Sequence, residues 1–502
     1  MRPLLTPEEM RLADRTTIEA GTPGEVLMER AGRALARATI RVLGRRYGGR
    51  VSVVCGKGNN AGDGYVTARV LHEMGMSVRC FDVFDEASRE GDAATHLRLM
   101  LDSGCPAGHF GPLALRADVI VDAIFGTGFK GTVEGPARDA IVAMVGSGVP
   151  VVAADIPSGV EGATGRVEGV AVTAVATVAM GAEKLGTVLA PGADHAGDVE
   201  VAPIGIALQG YGAAMVEATD MIEMLPRRAV GAHKRTGGSL AILAGSDAYP
   251  GAALLTARGA QRMGAGFVEL GCPEVVRRLA LTRLPELITH EVVGSEAKGF
   301  EEALQRADAL ALGPGLGVAE STVALVSEML DGFPGPVVVD ADALNALARE
   351  PRALLERDRP TVITPHPAEL GRLLGSDAAT VQADRMGAAR HAAERFGCVV
   401  LLKGRNTIVY SDDDQPQALI VPTGGPELAT AGTGDVLTGA IAALLPHRPA
   451  RVAAAAAAFV HGLAGSLAAV DRGVSGVTAW DVAEQLGSVR DDLLGPAGSS
   501  LA

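Results

Sequence analysis

The segment RVSVVCGKGNNAGDG, Arg50–Gly64, joins a β-branched apolar run to a loop of glycines, amides and one carboxylate. The run has the length and residue types of a buried strand, and the loop has the turn residues that let a following helix pack back on it. Two further segments repeat the arrangement: ADVIVDA (117–123) leads into IFGTGFKG, and VPVVAAD (149–155) leads into IPSGV. Strands that end in polar, glycine-rich loops, with helical stretches between them, form the pattern of a parallel α/β sheet covered by helices on both faces. In such a sheet the carboxyl-end loops converge on a crevice, so Asn59, Asn60, Asp63, Asp122, Lys130, Asp155 and Ser158 are expected to share one site.

A chain of 502 residues exceeds one ordinary hydrophobic core, and two domains of unequal size are expected. Apolar residues make up 48%, charged residues 21% and aromatics 3%, the profile of an Ala/Gly-rich soluble enzyme. A formal net charge of −14 argues against nucleic acid or an anionic membrane as partner, so an anionic ligand must be held by helix N-termini and single lysines. The cysteines Cys55, Cys80, Cys105, Cys272 and Cys398 have no metal-ligand spacing and read as buried thiols of a cytoplasmic protein. No secretory pattern opens the chain; LTPEEM offers Thr6 as N-cap, Pro7 at the first helical position and Glu9 to close a capping box. The run AAAAAAFVHGLAGSLAAV (453–470) is alanine-rich and broken by His461, so it reads as a helix packed on a sheet and not as a membrane span.

In the first sheet, Gly56, Gly58 and Ala61 nearly fit a dinucleotide fingerprint, with Asp82 about 20 residues on, which keeps a dehydrogenase open. Two amides and Asp63 are more polar than a pyrophosphate turn requires, and the carboxylate would repel phosphate. Oxygens of Asn60, Asp122 and Ser158 offer instead a seat for a hard cation. Taken singly, Asp122 and Asp155 are more simply caps after strands, and Lys130 a solvated lysine; the set favours a site.

After about Gly212 the stretch AAMVEATDMIEMLPRRAVGAHKRTGG (213–238) has mixed charge and no apolar strand, and the domain joint is placed there, with domains over 1–214 and 222–495. A second alternation follows in SLAILAG, GFVELGC, ADALALGPGLG, GPVVVDADALN, PTVITPHPAE and CVVLLKGRNTIVYSD. It ends in LATAGTGDVLTG (428–439). Gly432 and Gly434 allow the N–H groups through Thr433 to face one concavity at a helix N-terminus, and Asp435 stands where it could take a proton from a hydroxyl attacking a phosphate. An isolated GTGD would equally suit an N-capping aspartate. KGRNT, that is Lys403, Gly404, Arg405, Asn406 and Thr407, gives a lysine and a turn that could cradle nucleotide phosphates, and His366 between two prolines reads as a ligand contact.

GNNAGDG, DAIFGTGFKG and DIPSGVEGATG, in this order, resemble the epimerase domain of the NAD(P)H-hydrate repair enzymes over roughly the first 210 residues. The resemblance implies a Rossmann-like three-layer αβα domain. It implies that Asn59, Asn60, Ala61, Gly62 and Asp63, the loop of Gly126, Thr127, Gly128, Phe129, Lys130, Gly131 and Thr132, and Asp155 contact the hydrated nicotinamide nucleotide. It implies potassium on Asn60, Asp122 and Ser158. Its substrate carries a hydroxyl on C6 beside the ring nitrogen, a carbon that can lose and regain oxygen, so Asp155 is expected as acid/base with Lys130 assisting. After residue 225 the segments HKRTGGSLAILAGSDAYPGAALLTARGAQRMGAG, LGPGLG, VVVDADALN, TPHPAEL, KGRNT and AGTGDVLTG look like the ADP/ATP-dependent dehydratase branch of the ribokinase-like fold. That likeness implies phosphorylation of the C6 hydroxyl: Asp435 as base, Gly432–Gly434 on the phosphoryl group, Lys403–Thr407 on ADP or ATP, and His366, Gly315, Ala252 and Ala253 on the nicotinamide nucleotide. His366-Pro-Ala-Glu369 replaces the Asn-x-x-Glu that places magnesium in sugar kinases of this fold.

Three functions are weighed: a bifunctional repair enzyme acting on hydrated NADH and NADPH; a small-molecule kinase with a Rossmann-like regulatory domain; and a non-catalytic nucleotide sensor. Intact GTGD, Asp122 and Asp155 speak against the last. A homo-oligomer is expected.

Overall fold

The computed structural model describes residues 1–45, 48–84, 90–208, 210–228, 231, 233–292, 299–413 and 416–495. The chain divides into two compact units, Pro3–Ala213 and Met1–Arg2 with Ala214–Ala502. The first unit holds a seven-stranded parallel sheet in the spatial order Ala107–His109, Ser77–Asp82, Arg50–Cys55, Val119–Ala123, Val151–Ala154, Ala176–Met180, Asp198–Ala202. The strand order reverses on either side of Arg50–Cys55, and ligands bind at such a switch point because the two loops diverge there. Side chains alternate along each strand. Val51, Val53, Val119, Val121 and Val152 thus enter one core with the helices Gly24–Leu43 and Asn59–Glu73, while Val54, Ile120 and Val151 enter another with Gly135–Gly146. These two cores are the outer interfaces of a three-layer αβα unit. Gly56 lets the two switch-point loops approach: a Cβ there would lie 2.0 Å from the Ile124 carbonyl oxygen. Thr6 and Glu9 form the expected capping box of the helix Pro7–Glu19.

In the second unit parallel strands run Ile288–Glu291, Phe267–Cys272, Ser239–Leu243, Ala309–Leu312, Val337–Val339, Thr361–Ile363 and Val399–Leu402. Next to Val399–Leu402 the strands Thr407–Tyr410 and Ala418–Val421 continue the sheet in antiparallel pairing, with KGRNT as the turn between two strands. The connection between Leu402 and Thr407 is too short for a crossover, which takes about a dozen residues, and must be a hairpin. The joint stretch differs from its reading. It contains the strand Ala213–Met215, and the next residue, Val216, donates its N–H to Ile420 at 2.9 Å. Residues 229–230 and 232 of that stretch lie outside the described residues.

The alanine-rich segment forms the helix Ala450–Arg472, which is long and apolar enough to cross a membrane but 72% of whose apolar window is buried within the protein. Alanine allows close helix approach, and Gly462 sharpens it: a Cβ there would lie 2.4 Å from the Thr423 carbonyl carbon. None of the five cysteines forms a disulfide and all are buried, and burial pushes Cys105, Cys272 and Cys398 up to about 12.

Two candidate active sites

In the first unit the switch-point loops open a cleft of about 690 Å³. Asn59, Asn60, Asp63, the loop residues Gly126–Lys130 and Asp155 all line it. Ala61 and Gly62 do not, because the helix Asn59–Glu73 turns them inward: Ala61 is fully buried, and a Cβ on Gly62 would strike the Met28 sulfur at 2.3 Å. Gly131 and Thr132 also leave the cleft, and the Thr132 hydroxyl donates to Glu168 at 3.2 Å. Lys130 is exposed, 3.7 Å from Glu8. Phe125 and Phe129 stack at 4.9 Å between centroids, and Lys57 lies 4.5 Å over the ring of Phe84, giving the cleft an aromatic wall suited to a planar ring.

Beneath the cleft Asp122 is fully buried at the end of Val119–Ala123. It accepts the Ser158 hydroxyl at 2.6 Å, the Ser158 N–H at 2.8 Å and the Ile124 N–H at 3.2 Å. Burial pushes its carboxyl up to about 6 against the lowering effect of those bonds. Asn60 donates its amide N–H to the Phe125 carbonyl at 2.8 Å, and the Phe125 N–H reaches the Ser158 hydroxyl at 2.9 Å. Asn60, Asp122 and Ser158 are therefore joined through Phe125. The buried charge of Asp122 has only neutral donors around it among the described residues, and amide, hydroxyl and carboxylate oxygens are the ligands a hard cation takes.

Asp155 follows the strand Val151–Ala154 with a left-handed φ of +66°, unusual for a residue with a Cβ. Its Oδ1 accepts the Met180 N–H at 2.9 Å and the ammonium of Lys184, which is fully buried.

In the second unit the helix Thr433–Leu444 begins after Gly432, whose φ of +91° makes it a left-handed N-cap without a side-chain bond. The early helical N–H groups of Thr433, Gly434 and Asp435 are thus free of a capping side chain, and Asp435 is the third helical residue and not the cap. Thr433 turns inward, its hydroxyl donating to the Leu428 carbonyl at 2.9 Å. His461, buried on Ala450–Arg472, fixes the same turn through a 2.9 Å bond to the Thr433 carbonyl. Against this loop stands Lys403, whose Nζ is 2.7 Å from Asp340 and 3.8 Å from Glu369. A Cβ on Gly434 would lie 3.5 Å from that ammonium, which places the loop backbone in van der Waals reach of it. Asp340 also accepts the Thr438 hydroxyl at 2.7 Å. Burial, aided by Asp340 and Asp342 and opposed by Lys403, pushes Asp435 up to about 7.

Asp342 accepts the Gly317 N–H at 2.9 Å, and Ala341 between the two aspartates holds a φ of +52°. His366 caps the helix Pro367–Leu374: its Nδ1 accepts from Ala368 at 3.1 Å, its Nε2 lies 3.4 Å from Glu369 Oε1, and Glu369 accepts the His366 N–H at 2.8 Å. Gly315 packs on Ala252, a Cβ there falling 2.8 Å from the Ala252 methyl, whereas the side chain of Ala253 is buried against Gly245. The Lys403–Thr407 loop is braced from below by buried Arg385, which donates to the Arg405 carbonyl at 2.6 Å and the Leu402 carbonyl at 3.4 Å.

Residues 240–487 match the family model described as NAD(P)H-hydrate dehydratase, and residues 24–186 match that of the YjeF-related protein N-terminus. The bifunctional NAD(P)H-hydrate repair enzyme Nnr of Moorella thermoacetica is 40% identical, over 96% of this chain and 96% of that protein. The chain belongs to the family of bifunctional NAD(P)H-hydrate repair enzymes. The relative of the same name from Thermofilum pendens is 38% identical over 94% of this chain and 93% of its own length. A ribokinase-like superfamily protein from Enterococcus faecalis, 21% identical, covers 58% of this chain and 99% of itself with a TM-score of 0.52, a likeness of fold.

For a member of the repair-enzyme family, several polar residues at the two sites carry no motif signal strong enough to single them out. Asp340 and Asp342 lie inside VVVDADALN, a segment that carries the family likeness without giving either aspartate a role of its own. Arg385 announces itself only through its burial. Lys184 sits in MGAEKLG, which has no motif of its own, and reaches Asp155 because Ala176–Met180 pairs with Val151–Ala154 in parallel.

Proposed function

We infer that this chain interconverts the R and S forms of hydrated NADH and NADPH in the cleft of its first unit. It dehydrates the S form in its second unit, with ADP as phosphoryl donor, giving AMP and phosphate. The observation that carries this reading is the presence, in one chain alike to the Moorella thermoacetica relative over 96% of its length, of both a buried carboxylate cleft and an anion-receiving loop with a base.

In the first site Asp155 acts as acid/base at C6 of the hydrated ring, with Lys130 assisting from the rim. Potassium would be held by Asn60, Asp122 and Ser158, where a cation neutralises the buried Asp122 charge. In the second site Asp435, poised near neutrality, takes the proton of the C6 hydroxyl as it attacks the terminal phosphoryl group. The N–H groups that follow Gly432 receive the transferred charge, and the Lys403–Thr407 loop holds the nucleotide. The ring nitrogen then expels phosphate from C6, and loss of a C5 proton restores the reduced nicotinamide. Magnesium would supply charge neutralisation on the nucleotide phosphates, with Asp340 and Glu369 as the oxygen donors on hand. Magnesium bound with phosphates needs only one or two protein carboxylates, in keeping with no cluster of three candidate ligands among the described residues.

The test is stoichiometry. Purified protein supplied with the S epimer and ADP yields one AMP per reduced nicotinamide recovered, and Asp435→Ala abolishes both while leaving epimerisation intact. Recovery without AMP release, or at the wild-type rate in Asp435→Ala, contradicts the reading.

A further inference from the structure

Asp155, Lys184 and Met180 close a ring. The Lys184 ammonium is shared between Asp155 Oδ1 and the Met180 carbonyl, the latter at 2.8 Å, and the Met180 N–H returns to Asp155 Oδ1 at 2.9 Å. Both recorded donors lie on Oδ1, so among the described residues Oδ2 is the oxygen left toward the cleft that Asp155 lines. A non-glycine residue persists at φ +66° only where its surroundings over-determine it, and this ring does so. A lysine with 0% exposure is costly to bury, and Asp155 is its one recorded ion-pair partner among the described residues.

Two more carboxylates, Asp63 and Asp14, line the same cleft. Asp14 comes from the helix Pro7–Glu19 and Asp63 is the fifth residue of the helix Asn59–Glu73. Burial raises both carboxyls, Asp63 far above the usual range; the charges of Asp155 and Asp14 push Asp63 further up, and Lys184 offsets part of the rise. One ammonium thus serves three acids, and the one paired with it is Asp155.

We propose that the epimerase machinery is a pair of carboxyl groups ordered by Lys184: Lys184 is a positioning residue that presents Asp155 Oδ2 as proton acceptor, and Asp63 is the acid that protonates the departing C6 hydroxyl. This rests on the epimerase reading above and specifies its acid and base. Asp63 gives its proton to the hydroxyl; the C6–O bond breaks, its electron pair leaving with water, and the ring nitrogen lone pair forms the C6=N1 iminium. Water adds to C6 from the other face, a new C–O bond forms, and the proton shed by that water goes to Asp155. Return of this proton from Asp155 to Asp63 restores both groups, with one water released and one taken up.

The experiment follows conversion of the R epimer by the intact chain across pH, with the spontaneous rate subtracted, in wild type, Asp63→Asn, Lys184→Met and Lys184→Arg. ADP-dependent consumption of the S epimer by the same preparations calibrates the amount of active chain. Asp63→Asn is expected to slow epimerisation about 100-fold or more. Lys184→Met slows it and moves the alkaline limb to higher pH, because the one cation lowering Asp63 is gone while Asp155 and Asp14 still raise it. Lys184→Arg recovers rate and restores the limb. A wild-type rate in Asp63→Asn, or a Lys184→Met that slows without moving the limb, overturns the proposal. Wild type no faster than the spontaneous reaction overturns the epimerase reading itself.

Discussion

Lys403 Nζ lies 2.7 Å from Asp340 Oδ1, and the two residues come from loops at the carboxyl ends of Val399–Leu402 and Val337–Val339. The strand Thr361–Ile363 lies between those strands and ends just before His366 and Glu369. Parallel pairing therefore delivers the ammonium, its counter-charge and the capped glutamate to one edge, beside the helix that carries Asp435. Burial alone would lower the Lys403 ammonium, but Asp340 and Glu369 outweigh it and hold it above the ordinary lysine value, so it stays charged.

This pair sets the pH dependence of dehydration. Asp435 must be ionised to act as base, so kcat/KM rises with pH through about 7. Lys403→Met removes a charge that lowers Asp435, and the acidic limb moves to higher pH with a rate loss of about 100-fold. Asp340→Asn removes a charge that raises it, and the limb moves to lower pH. Rate profiles on the S epimer at saturating ADP check the two opposite displacements.

The same burial makes Asp435 a burden on stability. Its carboxyl titrates near 7 in the folded chain against 3.8 as its ordinary value, so above pH 7 the folded state bears a cost of up to roughly 4 kcal/mol. Asp435→Asn is expected to be more stable than wild type at pH 8. The advantage shrinks as pH falls from 7 toward 4, because wild-type Asp435 takes up its proton in the folded state first. The single tryptophan, Trp480, belongs to the second unit, and its fluorescence in denaturant titrations reports this difference.

Arg385 predicts a binding defect and not a chemical one. Its guanidinium, lowered to about 10 by burial, anchors the backbone on which Asn406 adopts φ +52°. Arg385→Met is expected to raise KM for ADP about tenfold, about 1.4 kcal/mol, with kcat little changed and epimerisation untouched. Initial rates over a range of ADP concentrations measure it.

Asp122 with its neutral donors predicts cation dependence. Ser158→Ala removes the 2.6 Å hydroxyl bond and one oxygen of the cation seat, and should raise the potassium concentration for half-maximal epimerisation about ten- to a hundredfold. Titration of potassium chloride against a choline chloride background, following R-epimer conversion, gives the value.

How far the sequence discloses these sites depends on whether a residue's role is local. Strand, loop and helix follow one another along the chain at Arg50–Gly64 and again at GTGD, so the layered fold and the strand-end loops are readable from patterning. Turn geometry redirected some residues of those loops: Thr433 closes its own loop, and Ala61 and Gly62 face the core because the helix begins at Asn59. The antiparallel pairing of Thr407–Tyr410 follows from connection length, and the turn in KGRNT between two strands is visible in the sequence. Lys184 and Asp340 could not be found in this way. Each depends on a partner brought close by strand pairing, Asp155 in one case and Lys403 in the other, across separations of 29 and 63 residues.

If both units act as proposed, one chain clears both epimers. Wild-type protein is given mixed R and S hydrated NADH with excess ADP, and recovery of the reduced-nicotinamide absorbance is followed to completion. Full recovery is expected, with the R fraction consumed faster than it converts spontaneously, and a slow second phase at the spontaneous rate in Asp155→Asn. Recovery that halts at the S fraction in wild type, or an Asp155→Asn trace identical to wild type, would contradict the proposed function.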